Sequence, residues 1–217
     1  LCTCLESPIA CTIAAMKNLP LKILLLASLL LSHAALAAQN IVVFGDSLSA
    51  GYGITREAGW VNLLAIALAP THPELTVVNT SISGETSTGG RQRIAAVLAQ
   101  HPAKIMIIEL GANDALRGAQ LNQVEKNLRE IIQLAKKSGA KVLLLGMQLP
   151  PNYGLSYTQN FSALYARIAR LEKVSLTPFM LAGVRAEQFQ ADNLHPDASA
   201  QPLIFSNVMV QLKPLLH

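Results

Sequence analysis

The sequence predicts an α/β protein, a three-layer sandwich of one parallel sheet between helices, and three observations lead there. Short β-branched or aliphatic runs alternate with longer segments of helical period. Each short run is nearly all apolar, as a strand covered on both faces must be. No repeat, low-complexity tract or linker divides the 217 residues, and a chain that is 51% hydrophobic can bury one substantial core.

The elements follow in order. A first strand is expected at 41–44 (Ile-Val-Val-Phe) and a helix at 60–68. A second strand at 76–78 leads to a helix at 90–100, and a third at 105–110 leads to a helix at 121–138. In that last helix Val124, Leu128, Ile131, Ile132 and Ala135 fall on one stripe, charged residues take the other faces, and Gly139 marks the stop. A fourth strand at 142–147, a helix at 161–173, a fifth strand at 175–179 and a helix at 199–212 complete the set. The Pro-rich stretch 149–154 is too short to separate domains. It reads as a loop and, because it follows a strand's carboxyl end, equally as one wall of a cleft.

Before the first strand, Lys17 and Lys22 lead into an apolar run at 23–31 and then small residues at Ala35, Ala37 and Ala38, the pattern of a secretory signal peptide cleaved after Ala37. Met16 is its natural start, so the expected organisation is upstream read-through at 1–15, a signal peptide at 16–37 and a single domain at 38–217. The apolar core is short of the ~20 residues a spanning helix needs, so no stable membrane anchor is expected. Cys2, Cys4 and Cys11 all precede Met16, which leaves the mature chain without thiol catalysis, disulfides or a cysteine for lipid attachment. The expected product is a soluble, periplasmic or secreted monomer. Its net charge is weakly positive and its basic residues (Arg56, Arg91, Arg93, Lys104, Arg117, Lys126) are scattered, which excludes a phosphate-backbone footprint and hence nucleic acid as partner.

Three features carry chemistry. The first strand ends in Gly45-Asp46-Ser47, presenting a hydroxyl where open α/β sheets place catalytic residues; alone, the pair reads rather as a turn and helix cap. Asp192-Asn193-Leu194-His195 sets a carboxylate three residues before an imidazole, within reach to orient it. A serine hydroxyl is a poor nucleophile at neutral pH and needs a base, and the base needs a partner to fix its tautomer; Ser47, His195 and Asp192 supply those roles. Gly84 and Asn113 follow the next two strands on the Ser47 side, where a close-approaching backbone N–H and an uncharged amide suit a developing oxyanion.

The blocks GDSLSAGYG, SISGETS, ELGAND and DNLHP, in this order, resemble the four signatures of the SGNH (GDSL) hydrolase family, across the whole mature chain. GDSLSAGYG, ELGANDALRG and LPPNYG resemble in particular its periplasmic branch of multifunctional thioesterases, lysophospholipases and arylesterases. The resemblance implies Ser47 as nucleophile, Asp192 and His195 as triad partners, and Gly84 and Asn113 with the Ser47 backbone N–H as oxyanion donors. It implies a small-molecule acyl ester or thioester substrate, with the acyl chain against apolar residues such as Leu149, Pro150 and Tyr153, and no cofactor. Ala112 and Glu85 stand where the branch usually has Gly and often has Asp, and neither removes a proposed catalytic group.

The missing GxSxG argues against a nucleophile elbow and for a flavodoxin-like fold with about five strands. No HExxH or paired-His motif occurs, so metal catalysis fits poorly. Asp46 and Asp114 are expected to hydrogen-bond the turns beside the site. Two rivals remain: a glycan O-acetylesterase of the same family, which would prefer acetyl esters, and a periplasmic lipid-binding protein without turnover, which would have no use for a nucleophile, base and oxyanion donors together.

Overall fold

The computed structural model describes residues 40–217; the expected upstream stretch 1–15 and the expected leader 16–37 lie outside the described residues. The five apolar runs form the five strands β1 (Asn40–Gly45), β2 (Thr76–Asn79), β3 (Ala103–Glu109), β4 (Lys141–Leu145) and β5 (Ser175–Thr177). They make one sheet in the order β2-β1-β3-β4-β5, every neighbouring pair parallel, which is the flavodoxin-like order. Its centre has no exposure: Ile41 to Phe44 of β1 and Ile105 to Ile108 of β3 are all fully buried. The strand order reverses between β1 and β3, since the connections leave β1 toward β2 on one side and reach β3 on the other, and the crevice at their carboxyl ends is where such sheets receive ligands.

Seven helices are found among the described residues: α1 (Ser47–Ala50), α2 (Trp60–Leu68), α3 (Ser87–Gln100), α4 (Ala112–Leu116), α5 (Leu121–Lys137), α6 (Leu155–Glu172) and α7 (Gln201–Leu212). Helix α3 packs on α5 and α5 on α6, while α2 packs on α7, giving the two outer layers. The expected stripe of α5 is buried in full. Helix α3 presses close because residue 90 is glycine: a Cβ there would stand 2.6 Å from Leu110 Cδ1 and 3.2 Å from Phe44 Cε1.

The differences from expectation lie at element ends. Helix α3 starts three residues early because the Thr86 hydroxyl caps Gly89 N–H and the Asp114 carboxylate accepts Ser87 N–H at 2.7 Å, a negative charge on the helix's positive end. Helix α6 begins at Leu155, not 161. Strand β5 stops at Thr177 because Pro178 has no N–H for the ladder. Helix α7 starts at Gln201, after a 3₁₀ turn at Ala198–Ala200 whose first N–H groups are taken by the Asp197 carboxylate. The short helices α1 and α4 are too brief to show a period in sequence, yet they carry Ser47 and Asn113.

Candidate active site

At the carboxyl end of β1 the chain turns at once into α1, with Asp46 as its cap: Asp46 Oδ1 accepts Leu48 N–H at 3.0 Å. Ser47 is therefore the first residue of a helix, where helix geometry leaves its N–H without an intrahelical partner. It is buried, with its hydroxyl facing the crevice beside β3.

The base arrives from the loop between β5 and α7. Asp192 Oδ1 accepts both Leu194 N–H (2.9 Å) and His195 N–H (3.0 Å), closing a tight turn, and Asn193 takes the left-handed φ of +56° that asparagine tolerates. Asp192 Oδ2 lies 2.6 Å from His195 Nδ1, and His195 Nε2 lies 2.9 Å from Ser47 Oγ. A carboxylate only accepts, so Nδ1 carries the proton and Nε2 is left to accept from the serine hydroxyl. The His195 N–H first, then the imidazole and the Leu194 N–H, hold the Asp192 carboxyl down to about 2, so it is ionised throughout the neutral range. The Tyr52 ring lies 4.6 Å from the imidazole, tilted by 41°. Gln190 Nε2 donates to Tyr52 O at 2.7 Å and to Pro196 O at 3.2 Å, tying the histidine loop to the nucleophile loop.

The third strand delivers Asn113. After β3 the chain passes Gly111, at φ +112°, where a Cβ would also strike the Tyr165 hydroxyl at 2.6 Å; this sharp turn starts α4. Asn113 Nδ2 donates to Asp46 Oδ2 at 2.8 Å, and its residue lines the same crevice as Ser47 and His195. Burial lifts the Asp46 carboxyl to about 6. Directly below, the fully buried Glu109 accepts Asp46 N–H (3.2 Å) and Ser49 Oγ–H (2.8 Å) on Oε2, and burial, then the Asp46 charge, pushes it well above the ordinary carboxylate range. Asp114, expected to bond its own turn, instead binds Ser87 N–H and Oγ–H, both at 2.7 Å, and so ties α4 to α3.

Among the predicted site residues, the structure brings Ser47, Asp192, His195 and Asn113 together. Gly84 sits in an exposed turn after β2 at φ +80°, its carbonyl 3.4 Å from Arg117 Nη2, and it is not part of the cleft wall. The cleft beside Ser47 is mostly apolar, with a volume of about 320 Å³. Leu149 and Pro150 line it, whereas Tyr153 does not: the 3₁₀ turn Pro151–Tyr153 carries it past the wall, where it is 37% exposed. Leu48, Leu116, Met147, Phe179, Leu181 and Phe189, missed in the sequence, form the rest of the apolar lining with Ala112 and Leu194. Their shared signal is that several lie just beyond a strand's carboxyl end. Gln190 was also missed, with no motif to mark it, and Glu109, though it opens the ELGAND block, was given no role. Among the described residues no group of three or more His, Cys, Asp or Glu side chains is arranged to hold a metal ion.

Residues 43–201 match the model of the GDSL-like Lipase/Acylhydrolase family. The chain is 49% identical over 193 residues to "Esterase TesA" of Pseudomonas aeruginosa, covering 88% of this chain and 96% of that protein. It is 42% identical over 190 residues to "Thioesterase 1/protease 1/lysophospholipase L1" of Escherichia coli K12, covering 87% and 90% respectively. A crystal structure of TesA superposes with a TM-score of 0.79 at 47% identity, covering 82% of this chain and 99% of that one.

Proposed function

Because the chain belongs to the GDSL-like lipase/acylhydrolase family, we propose that it hydrolyses acyl esters and thioesters through an acyl-enzyme on Ser47. The observation that carries the reading is the unbroken line from Asp192 Oδ2 through the His195 ring to Ser47 Oγ, opening on an apolar cleft. Ser47 Oγ attacks the acyl carbonyl while His195 Nε2 takes its proton and Asp192 stabilises the imidazolium. The Ser47 N–H and the Asn113 amide receive the oxyanion; the family resemblance adds the Gly84 N–H as a third donor, which would have to approach from its turn outside the cleft lining. His195 then returns the proton to the departing alcohol or thiol, and water repeats the sequence on the acyl-enzyme, so no cofactor takes part.

The substrates are aryl esters, acyl-CoA thioesters and lysophospholipids, small molecules with an acyl chain that the lining of Leu48, Leu149, Phe179 and Leu181 shelters from water. This wall favours an acyl chain over an acetyl group on a glycan. The enzyme is exported to the periplasm or beyond by the leader at 16–37 and works there as a monomer. Among the described residues no helix is long and apolar enough to cross a membrane.

The test compares residues 38–217 with the same protein carrying Ser47→Ala on nitrophenyl butyrate, nitrophenyl octanoate and a medium-chain acyl-CoA. The expected result is turnover by wild type and a loss of ~10³-fold or more in the variant. Equal rates in the two proteins would remove Ser47 from the mechanism and reopen the binding-protein reading.

A further inference from the structure

Among the described residues Glu109 is the one acidic side chain with no exposure at all, and the mechanism makes no use of it. It ends β3 directly beneath the nucleophile turn, in a space that exists only because residue 45 is glycine: a Cβ on Gly45 would stand 2.7 Å from Glu109 Oε2 and 2.9 Å from Ser49 Oγ. Oε2 gathers the Asp46 N–H and the Ser49 hydroxyl, one from the cap of α1 and one from inside it. Oε1 is buried without a partner. A charged carboxylate with one bare oxygen and no cation partner, packed against a second carboxylate, would carry a desolvation penalty larger than two hydrogen bonds to Oε2 offset, so the neutral acid is the form this space accepts. In that form Oε2 still accepts the Asp46 N–H and the Ser49 hydroxyl, and the acid sets no second charge beside the Asp46 carboxyl.

Asp46 in turn faces Asn113. Its Oδ1 is committed to the Leu48 N–H, so Oδ2 is the oxygen that meets the amide, and an acceptor there requires Asn113 to present nitrogen rather than oxygen. One Nδ2 hydrogen is used in that bond and the other is left for the cleft.

We propose that Glu109 is a positioning residue, which braces Asp46 from beneath the nucleophile turn and through it holds the Asn113 amide with one N–H turned to the oxyanion. The inference rests on the serine-hydrolase reading above and deepens it. The Gly45 and Glu109 positions thereby become one device: the glycine makes room for the acid, and the acid sets both the turn that carries Ser47 and the amide that faces it.

Because Glu109→Leu puts an apolar group against the Asp46 N–H and can disturb the fold, three variants are compared with wild type and Ser47→Ala: Glu109→Gln, Glu109→Leu and the near-isosteric Asp46→Asn, each also in an Asn113→Ala background. Thermal melting identifies the folded variants, and kcat and KM are measured on nitrophenyl butyrate. Losing one oxyanion donor lowers kcat by about 10²–10³-fold, so misdirecting the amide should remove a good part of that. The expected result is a fall in kcat of at least about tenfold for Asp46→Asn and for folded Glu109→Leu, with KM within about threefold, and near wild-type kcat for the neutral isostere Glu109→Gln. In the Asn113→Ala background the same substitutions should cost less than about threefold, because the amide they position is gone.

Wild-type kcat in Asp46→Asn overturns the proposal, as does an equal loss with and without the Asn113 amide, or a Glu109→Gln as impaired as Glu109→Leu. Any of these beside an active wild type and a dead Ser47→Ala overturns this inference alone. A wild type without turnover overturns the enzymatic reading and this one with it.

Discussion

Replacing Asp192 by asparagine probes the triad with almost no change of shape. In the native turn Asp192 Oδ1 accepts two backbone N–H groups, from Leu194 and His195, at 2.9 and 3.0 Å. Those two donors decide which way an asparagine amide would point. Turning its NH₂ toward them would break two hydrogen bonds worth about 1 kcal/mol each and set donors against donors. The amide oxygen therefore stays on the turn, and the NH₂ takes the place of Oδ2, 2.6 Å from His195 Nδ1. Facing a donor, Nδ1 must become the acceptor, which moves the imidazole proton to Nε2. That nitrogen then offers an N–H to Ser47 Oγ instead of a lone pair, and the base is lost.

A wrong tautomer in an otherwise intact triad lowers kcat by about 10⁴-fold, or about 5 kcal/mol of barrier. Asp192 is exposed, so the fold should hardly notice. The assay is the initial rate on nitrophenyl butyrate for wild type and Asp192→Asn, with melting curves for both. Asp192→Ala is a poorer test, because it also releases the two backbone donors. An Asp192→Asn rate within tenfold of wild type would refute the reasoning, since it would mean that the carboxylate does not set the histidine's tautomer.

Other expectations follow from the packing and the charges. Gly146→Ala should destabilise by about 3 kcal/mol, because its Cβ would stand 2.2 Å from the Pro178 carbonyl oxygen, which is backbone and cannot swing aside; calorimetry should show a melting temperature lower by roughly 6–12 °C, and an unchanged one would mean that the β4–β5 exit is looser than described. The folded state lifts the Asp46 carboxyl from 3.8 to about 6, so between those values the native protein holds a proton that the unfolded chain has released. Stability from this group is thus fully present below 3.8 and is lost as pH rises through 6, with Glu109 acting in the same direction; denaturant titrations at several pH values should show that slope in wild type and a shallower one in Asp46→Asn. Asp192 has the opposite sign, its contribution being present above 3.8 and lost as pH falls toward 2. Across nitrophenyl esters from acetate to octanoate, each methylene that enters the cleft should raise kcat/KM by up to about fourfold, the equivalent of ~0.8 kcal/mol, whereas a preference for acetate would favour a glycan deacetylase.

The sequence alone determined the architecture. Strands buried on both faces must be apolar throughout, and a helix lying on a sheet must show one apolar stripe, so 41–44, 105–110 and 124–135 announce themselves through burial that their composition requires. The Asp192–His195 pairing is equally local: three residues and one turn suffice to bring carboxylate to imidazole. The nucleophile's address was legible too, because a hydroxyl at the end of an apolar strand stands at the sheet's ligand-binding edge.

Everything that depends on which strands are neighbours was decided only in three dimensions. Ser47 and His195 are 148 residues apart and Asp46 and Asn113 are 67 apart; their contacts exist because β1 lies beside β3 in register and the last loop folds back over that seam. The cleft wall draws single residues from the ends of several strands, so no stretch of sequence displays it: Leu149 and Pro150 line it, and Tyr153, one 3₁₀ turn further on, does not. Glu109 is the clearest instance. In sequence it is an acid ending a strand and opening the ELGAND block; only the absent side chain of Gly45, on the neighbouring strand, turns it into a buried acid beneath the nucleophile, because burial is a property of neighbours and not of the residue itself.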